Sequence, residues 1–113
     1  MVSGQDIVNE AKNHLNKPYK YGAAGPDKFD CSGLVVYVFG RFGISLPHGT
    51  KYLIGKGTKV GSKGELKAGD LIFPHSGHVG IAMGDGNMIH APHTGDVVRI
   101  APIKKFYAGR RIV

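Results

Sequence analysis

Residues 29–43 read FDCSGLVVYVFGRFG, and whether this run is helix or strand decides the fold class. Its valines and tyrosine would suit a strand. Leu34, Val35, Val38, Phe39 and Phe42, however, recur at the i, i+3/4, i+7/8 spacing of a single helix face, and Gly43 supplies a C-terminal stop. The spacing predicts a helix over 32–42, with Gly40 as its weakest position and the only cysteine of the chain, Cys31, at its head. Upstream, Ser3-x-x-Asp6 marks a capped helix start, with Ile7, Val8, Ala11 and Leu15 as its apolar stripe and Pro18 ending it. Residues 19–30 read as loop, and a short helix is expected around 50–54.

Beyond Gly69 the apolar period changes to two. Short strands are expected at 71–73, 78–83, 87–91, 97–100 and 109–113. Asp85-Gly86, between two of them, is a strong hairpin signal. Helices come first and strands follow, which predicts an α+β fold with N-terminal helices on a C-terminal antiparallel sheet.

At 113 residues the chain is expected to be one domain, 1–113. Leu, Ile, Val and Phe number 30, enough for a modest core. Glycine is in excess at 18, without a Gly-X-Y period, so the domain should be turn-rich and not collagenous. No apolar run approaches the roughly 20 residues that span a bilayer, so no membrane insertion is expected. No charged segment followed by an apolar one opens the sequence, so no secretion signal is visible. A lone cysteine excludes an internal disulfide. The net charge of +7 suits a polyanion such as nucleic acid, anionic lipid or an acidic wall polymer.

Cys31 at a helix head would gain nucleophilicity from the free N–H groups and partial positive charge there, which lower a thiol's pKa. A nucleophilic thiol needs a base, and the base needs an orienting partner. His78 opens an expected strand in Gly77-His78-Val79-Gly80-Ile81-Ala82, sharing a face with the tiny Gly80 and Ala82, a hollow by sequence. His90 lies on the next strand, placed to take the other imidazole N–H of His78. Strand parity sets a condition. A two-residue Asp85-Gly86 loop puts the two histidines on opposite faces, so a shared site requires an odd loop count or a bulge.

Tyr19-x-Tyr21-Gly22, Asp30-Cys31-Ser32-Gly33, Leu46-Pro47, Leu66-Lys67-x-Gly69-Asp70-Leu71, Gly77-His78-Val79-Gly80-Ile81 and Met88-Ile89-His90-Ala91 stand in that order. Together they resemble the NlpC-type cell-wall hydrolases, papain-like cysteine peptidases of bacteria and phages, over residues 7–100. The resemblance implies a papain-like fold, no cofactor, and a monomer, secreted or wall-associated, acting on peptidoglycan peptides. It implies cleavage of γ-D-glutamyl bonds to a diamino acid, with Cys31 as nucleophile, His78 as base, His90 orienting it and Tyr19 assisting the oxyanion. Asp30, Ser32, Gly77, His48 and Thr50 are the expected lining of the substrate groove. Where the family often carries Leu-Pro-Arg-x-Ser-x-x-Gln, this chain has Leu46-Pro47-His48-Gly49-Thr50-Lys51-Tyr52-Leu53, so the peptide preferred is left open.

Other readings compete. His75-x-x-His78 and His90-x-x-His93 with Cys31 superficially supply zinc ligands, but i and i+3 on a strand diverge, so no metal is expected. A basic module binding wall polymer without chemistry is a second, and an amidase or acyltransferase using the same thioester a third. Nucleic acid is not expected as a partner, because no aromatic residues interleave with the Lys and Arg residues.

Overall fold

The computed structural model describes residues 1–113. Helix α1 (Gly4–Lys12) begins at Ser3, whose hydroxyl accepts from the Asp6 N–H while the Asp6 carboxylate accepts from the Ser3 N–H, the reciprocal cap that the sequence predicts. It ends at Lys12, six residues before Pro18 and earlier than expected, in turns that reach Asn16 at a φ of 72°. The decisive run is helix: α2 (Cys31–Gly40) is capped by the Asp30 carboxylate, which accepts from the Gly33 N–H. A short α3 (Thr50–Leu53) follows.

Six strands form one antiparallel sheet: β1 (Thr58–Val60), β2 (Leu71–Phe73), β3 (Gly80–Ala82), β4 (Asn87–His90), β5 (Arg99–Pro102) and β6 (Ala108–Arg111), in the order β1-β6-β2-β3-β4-β5. Helices lie on one face and bury Ile7, Val8, Leu34, Val38 and Phe39 against Leu71, Phe73, Val79, Ile81 and Ile89. The opposite face carries a second cluster, Ile72, Ala82, Met88 and Ile103, covered by Leu66 and Phe106. The fold is the α+β arrangement expected.

Several strand limits differ. His78 does not open a strand. After Ile72 pairs with Gly80 the two chains part, and residues 74–79 turn outside the ladder. Val97 and Val98 also lie outside the ladder, because they bond instead with Asn16, Lys17 and Pro18. Strand β1 has only three residues, too few to show an alternation. Nor is there a hollow beside Gly80. A Cβ there would stand 2.9 Å from the Met88 sulfur and 3.2 Å from the His90 Cβ, so the glycine admits a packed neighbour.

Asp70, 2% exposed, pins the end of β6 to β2. Its carboxylate accepts from the Lys67 N–H at 2.7 Å and from Arg111 Nε and Nη2 at 2.9 and 2.8 Å. Arg111→Met leaves that buried charge on one amide and is expected to cost about 3 kcal/mol. A lowered urea midpoint at unchanged slope is the measurement, and wild-type stability would refute it.

Candidate active site

Three pieces of chain meet at the head of α2. The loop over 19–30 brings Tyr19 and Tyr21, the turn after Phe73 brings Gly77 and His78, and the segment before α3 brings His48, Gly49 and Thr50. With Gly22, Asp30, Cys31 and Ser32, all of these except His78 line one open hollow of about 400 Å³. His78 follows Gly77 directly in the chain. His90 reaches it from β4, with His78 Nε2 and His90 Nδ1 at 2.8 Å.

The hairpin meets the parity condition. Ile81 faces Ile89, Ala82 faces Met88, and the Met83 N–H donates to the Asn87 carbonyl. The loop is therefore Gly84-Asp85-Gly86, an odd count, with both glycines in the left-handed region at φ of 89° and 91°. Gly80 thus stands opposite His90, and the two histidines reach one site.

Asp30 is the scaffold of the hollow. It is 8% exposed, and Oδ1 accepts from the Gly33 N–H, the Ser32 hydroxyl and His48 Nε2, while Oδ2 accepts from the Gly22 N–H. One carboxylate so ties the tyrosine loop, the helix head and the segment before α3 together. The polar groups of Asp30 and Ser32 are engaged with one another and with the protein, and His48 is turned onto Asp30 at 2.8 Å.

The Val79 backbone amide favours the thiolate form of Cys31. Val79 directly precedes β3 (Gly80–Ala82), and no sequence signal announces its effect on the thiol. The expectation of a lowered thiol pKa is overturned. Burial pushes the thiol up, and the Asp30 carboxylate adds to this, outweighing the amides of Val79, Ser32 and Cys31 itself. His78 moves the other way, down to about 4, first through burial and then through His90 and His75. Burial also lowers His90, and it raises Tyr19. The resting pair is therefore neutral thiol and neutral imidazole. His75, absent from the expected site, stacks on His78 at 5.9 Å and 27°.

No group of three or more His, Cys, Asp or Glu side chains converges as a metal would require. No helix is long and apolar enough to cross a membrane.

The sequence profile of the NlpC/P60 family matches residues 16–113. A probable endopeptidase p60 of Listeria grayi is 46% identical over 93 residues, 79% of this chain and 18% of that protein. A probable endopeptidase of Corynebacterium glutamicum is 42% identical over 91 residues, 79% of this chain and 43% of that protein. The chain thus spans less than half the length of either relative. Among solved structures, the NlpC/p60 domain of the peptidoglycan hydrolase SagA superposes with a TM-score of 0.91 at 34% identity, covering 98% of this chain and all of that one.

Proposed function

Because this chain belongs to the NlpC/P60 family, we propose that it is a single catalytic domain, a cysteine endopeptidase that hydrolyses γ-D-glutamyl–diamino acid bonds in peptidoglycan stem peptides at the cell wall. The observation that carries the proposal is the 2.8 Å bond between His78 Nε2 and His90 Nδ1, beside the hollow that holds Cys31. With Nε2 engaged, Nδ1 is the nitrogen of His78 left to accept the thiol proton.

The chemistry runs in two halves. His78 takes the proton from Cys31 as sulfur attacks the scissile carbonyl. The oxyanion is held by the Cys31 amide and the Tyr19 hydroxyl, and collapse expels the amine, which leaves with the proton from His78. Water then enters and attacks the thioester as His78 takes its proton, the C–S bond breaks to release the glutamyl carboxyl product, and His78 returns the proton to the Cys31 sulfur. His90 is a neutral acceptor throughout, fixing the His78 tautomer as a carboxylate does in other triads. Asp30 and Ser32 hold the groove's shape, while His48, Thr50 and Gly77 border the peptide. His48, with Nε2 2.8 Å from Asp30 Oδ1, stands where the family often carries arginine.

Digestion of purified peptidoglycan, with new termini identified by mass spectrometry, tests the bond. Free D-glutamyl carboxylates with new diamino-acid amines are the expected products. Release at another bond would overturn the specificity. Folded protein that cleaves nothing would leave a basic wall-binding module. Transfer of the glutamyl group to an added amine in preference to water would make it an acyltransferase.

A further inference from the structure

The positive charge of the chain is concentrated in two segments. Residues 56–67 carry Lys56, Lys59, Lys63 and Lys67, and their only acid is Glu65. Residues 104–111 carry Lys104, Lys105, Arg110 and Arg111 and no acid. These account for eight of the fifteen Lys and Arg and one of the eight acids, so their balance equals the +7 of the whole chain. The remainder, which contains every residue lining the Cys31 hollow, is neutral.

The fold brings the two segments together. Strand β1 pairs with β6, with Lys59 directly opposite Arg110. Arg111 Nη2 donates to the Glu65 carbonyl at 3.0 Å. A surface hollow of about 350 Å³ is lined by Lys59, Glu65, Lys67 and Arg111 among others, and a neighbouring one of about 280 Å³ runs from Lys63 to Ile103, the residue before Lys104. All six lysines are exposed. None of the eight cations lines the hollow at Cys31.

Like charges opposite one another across strands are destabilising, and clustered cations repel. Protection of the sheet edge against pairing explains one lysine on β1, which Lys59 provides. It does not explain Lys63, Lys67, Lys104 and Lys105, which lie off that strand. A cation cluster of this kind, whose local carboxylates are Glu65 and the buried Asp70 bound by Arg111, suits a polymeric anion.

The polymer class follows from what accompanies the charge. Binders of single-stranded nucleic acid stack successive bases on several aromatic rings. Here Phe106 is packed on the second core cluster, and Tyr107 is the sole exposed aromatic in the two segments. We infer that the basic β1–β6 edge docks a flexible, base-free polyphosphodiester of the cell wall, holding the domain on its substrate while the groove at Cys31, which none of these cations lines, works on peptide. The choice of a wall polymer rests on the hydrolase reading above.

Titration of labelled poly(glycerol phosphate) against the whole chain, at increasing salt, tests this. The wild type is expected to bind at low salt and to weaken steeply as salt rises, with a log–log slope of roughly 0.7 per phosphate contacted. A Lys59→Gln, Lys63→Gln, Lys67→Gln, Lys104→Gln variant should bind about tenfold more weakly with a flatter slope, as fewer counterions are released. A control with Lys12, Lys20, Lys28 and Arg41 all changed to Gln should bind like the wild type. Equal weakening in both variants, or no binding by the wild type, would overturn the inference. So would tighter binding of an oligothymidylate of equal charge, which points to nucleic acid, or of anionic vesicles, which points to lipid. Hydrolysis of a soluble stem peptide is measured in parallel, and the edge variant should match the wild type. Polymer binding by a wild type that hydrolyses no peptide would fell the catalytic proposal and support the docking edge.

Discussion

Alanine at either Cys31 or His78 is expected to lower kcat/KM for stem-peptide hydrolysis by about 10³-fold or more, and alanine at both by little beyond either alone. The non-additivity follows from the mechanism, since a base without its thiol and a thiol without its base are equally idle. Melting temperature near the wild-type value should accompany each loss. Independent, multiplying effects would show that the two groups do not act as one unit.

The pH dependence follows from the same pair. His78 is lowered to about 4 and Cys31 is raised above its ordinary 9, so neutral thiol and neutral imidazole coexist between those limits. That protonation state is the one in which His78 can take the proton during attack. Activity should therefore fall on the acid side near the lowered His78 value, with His90, itself lowered by burial, contributing to the same limb. It should fall on the alkaline side only above pH 9, where the thiol ionises from a resting state that has lost its proton for the leaving amine. Alkylation of Cys31 by iodoacetamide should keep accelerating through pH 9. A rate that is flat across neutral pH would reveal a preformed thiolate–imidazolium pair and overturn this account.

Gly33→Ala is the second large effect. A Cβ at Gly33 would lie 1.9 Å from the Ala23 carbonyl oxygen and 2.9 Å from its carbon, both backbone atoms. That oxygen cannot easily retreat, because it accepts from the Asp30 N–H at 2.8 Å. Relief requires the 19–30 loop to leave the helix head, breaking the Asp30 network as it goes. A loss of about 4 kcal/mol is expected, a large share of the stability of a domain this size. Gly40→Ala is the control. Nothing lies within 4 Å of its Cβ position, its φ is not positive, and it sits in α2. Alanine there should stabilise by about 0.5–1 kcal/mol. Unfolding midpoints in urea decide both, and a Gly33→Ala protein as stable as wild type would show the loop to be loosely held.

Much of this was legible in the chain. The Ser3 and Asp6 cap, the helical spacing of Leu34 to Phe39, and the change of period after Gly69 are local signals, and the structure follows them. So was the odd loop between the histidines, because strand parity turns a proposed pairing into a condition on residue count. What stayed hidden depends on partners distant in sequence. Strand β1 exists because β6, some fifty residues later, offers it a ladder. Val97 and Val98 read as strand by composition but are claimed by residues 16–18. The thiol's pKa could not be read from its helix position, because burial against the sheet and the Asp30 charge oppose the amides.

The three-residue turn Gly84-Asp85-Gly86 gives this surface loop an unusual genetic property. Loops at a hairpin tip ordinarily tolerate gains and losses of any length. Here one codon removed would advance β4 by a single pleat and carry His90 to the far face, away from His78, with the loop itself unharmed. Insertions and deletions at this tip should therefore survive selection in steps of two residues. The spacing between Ile81 and Ile89 would drift in even increments across descendants of this gene, while the composition of the tip remains free to vary.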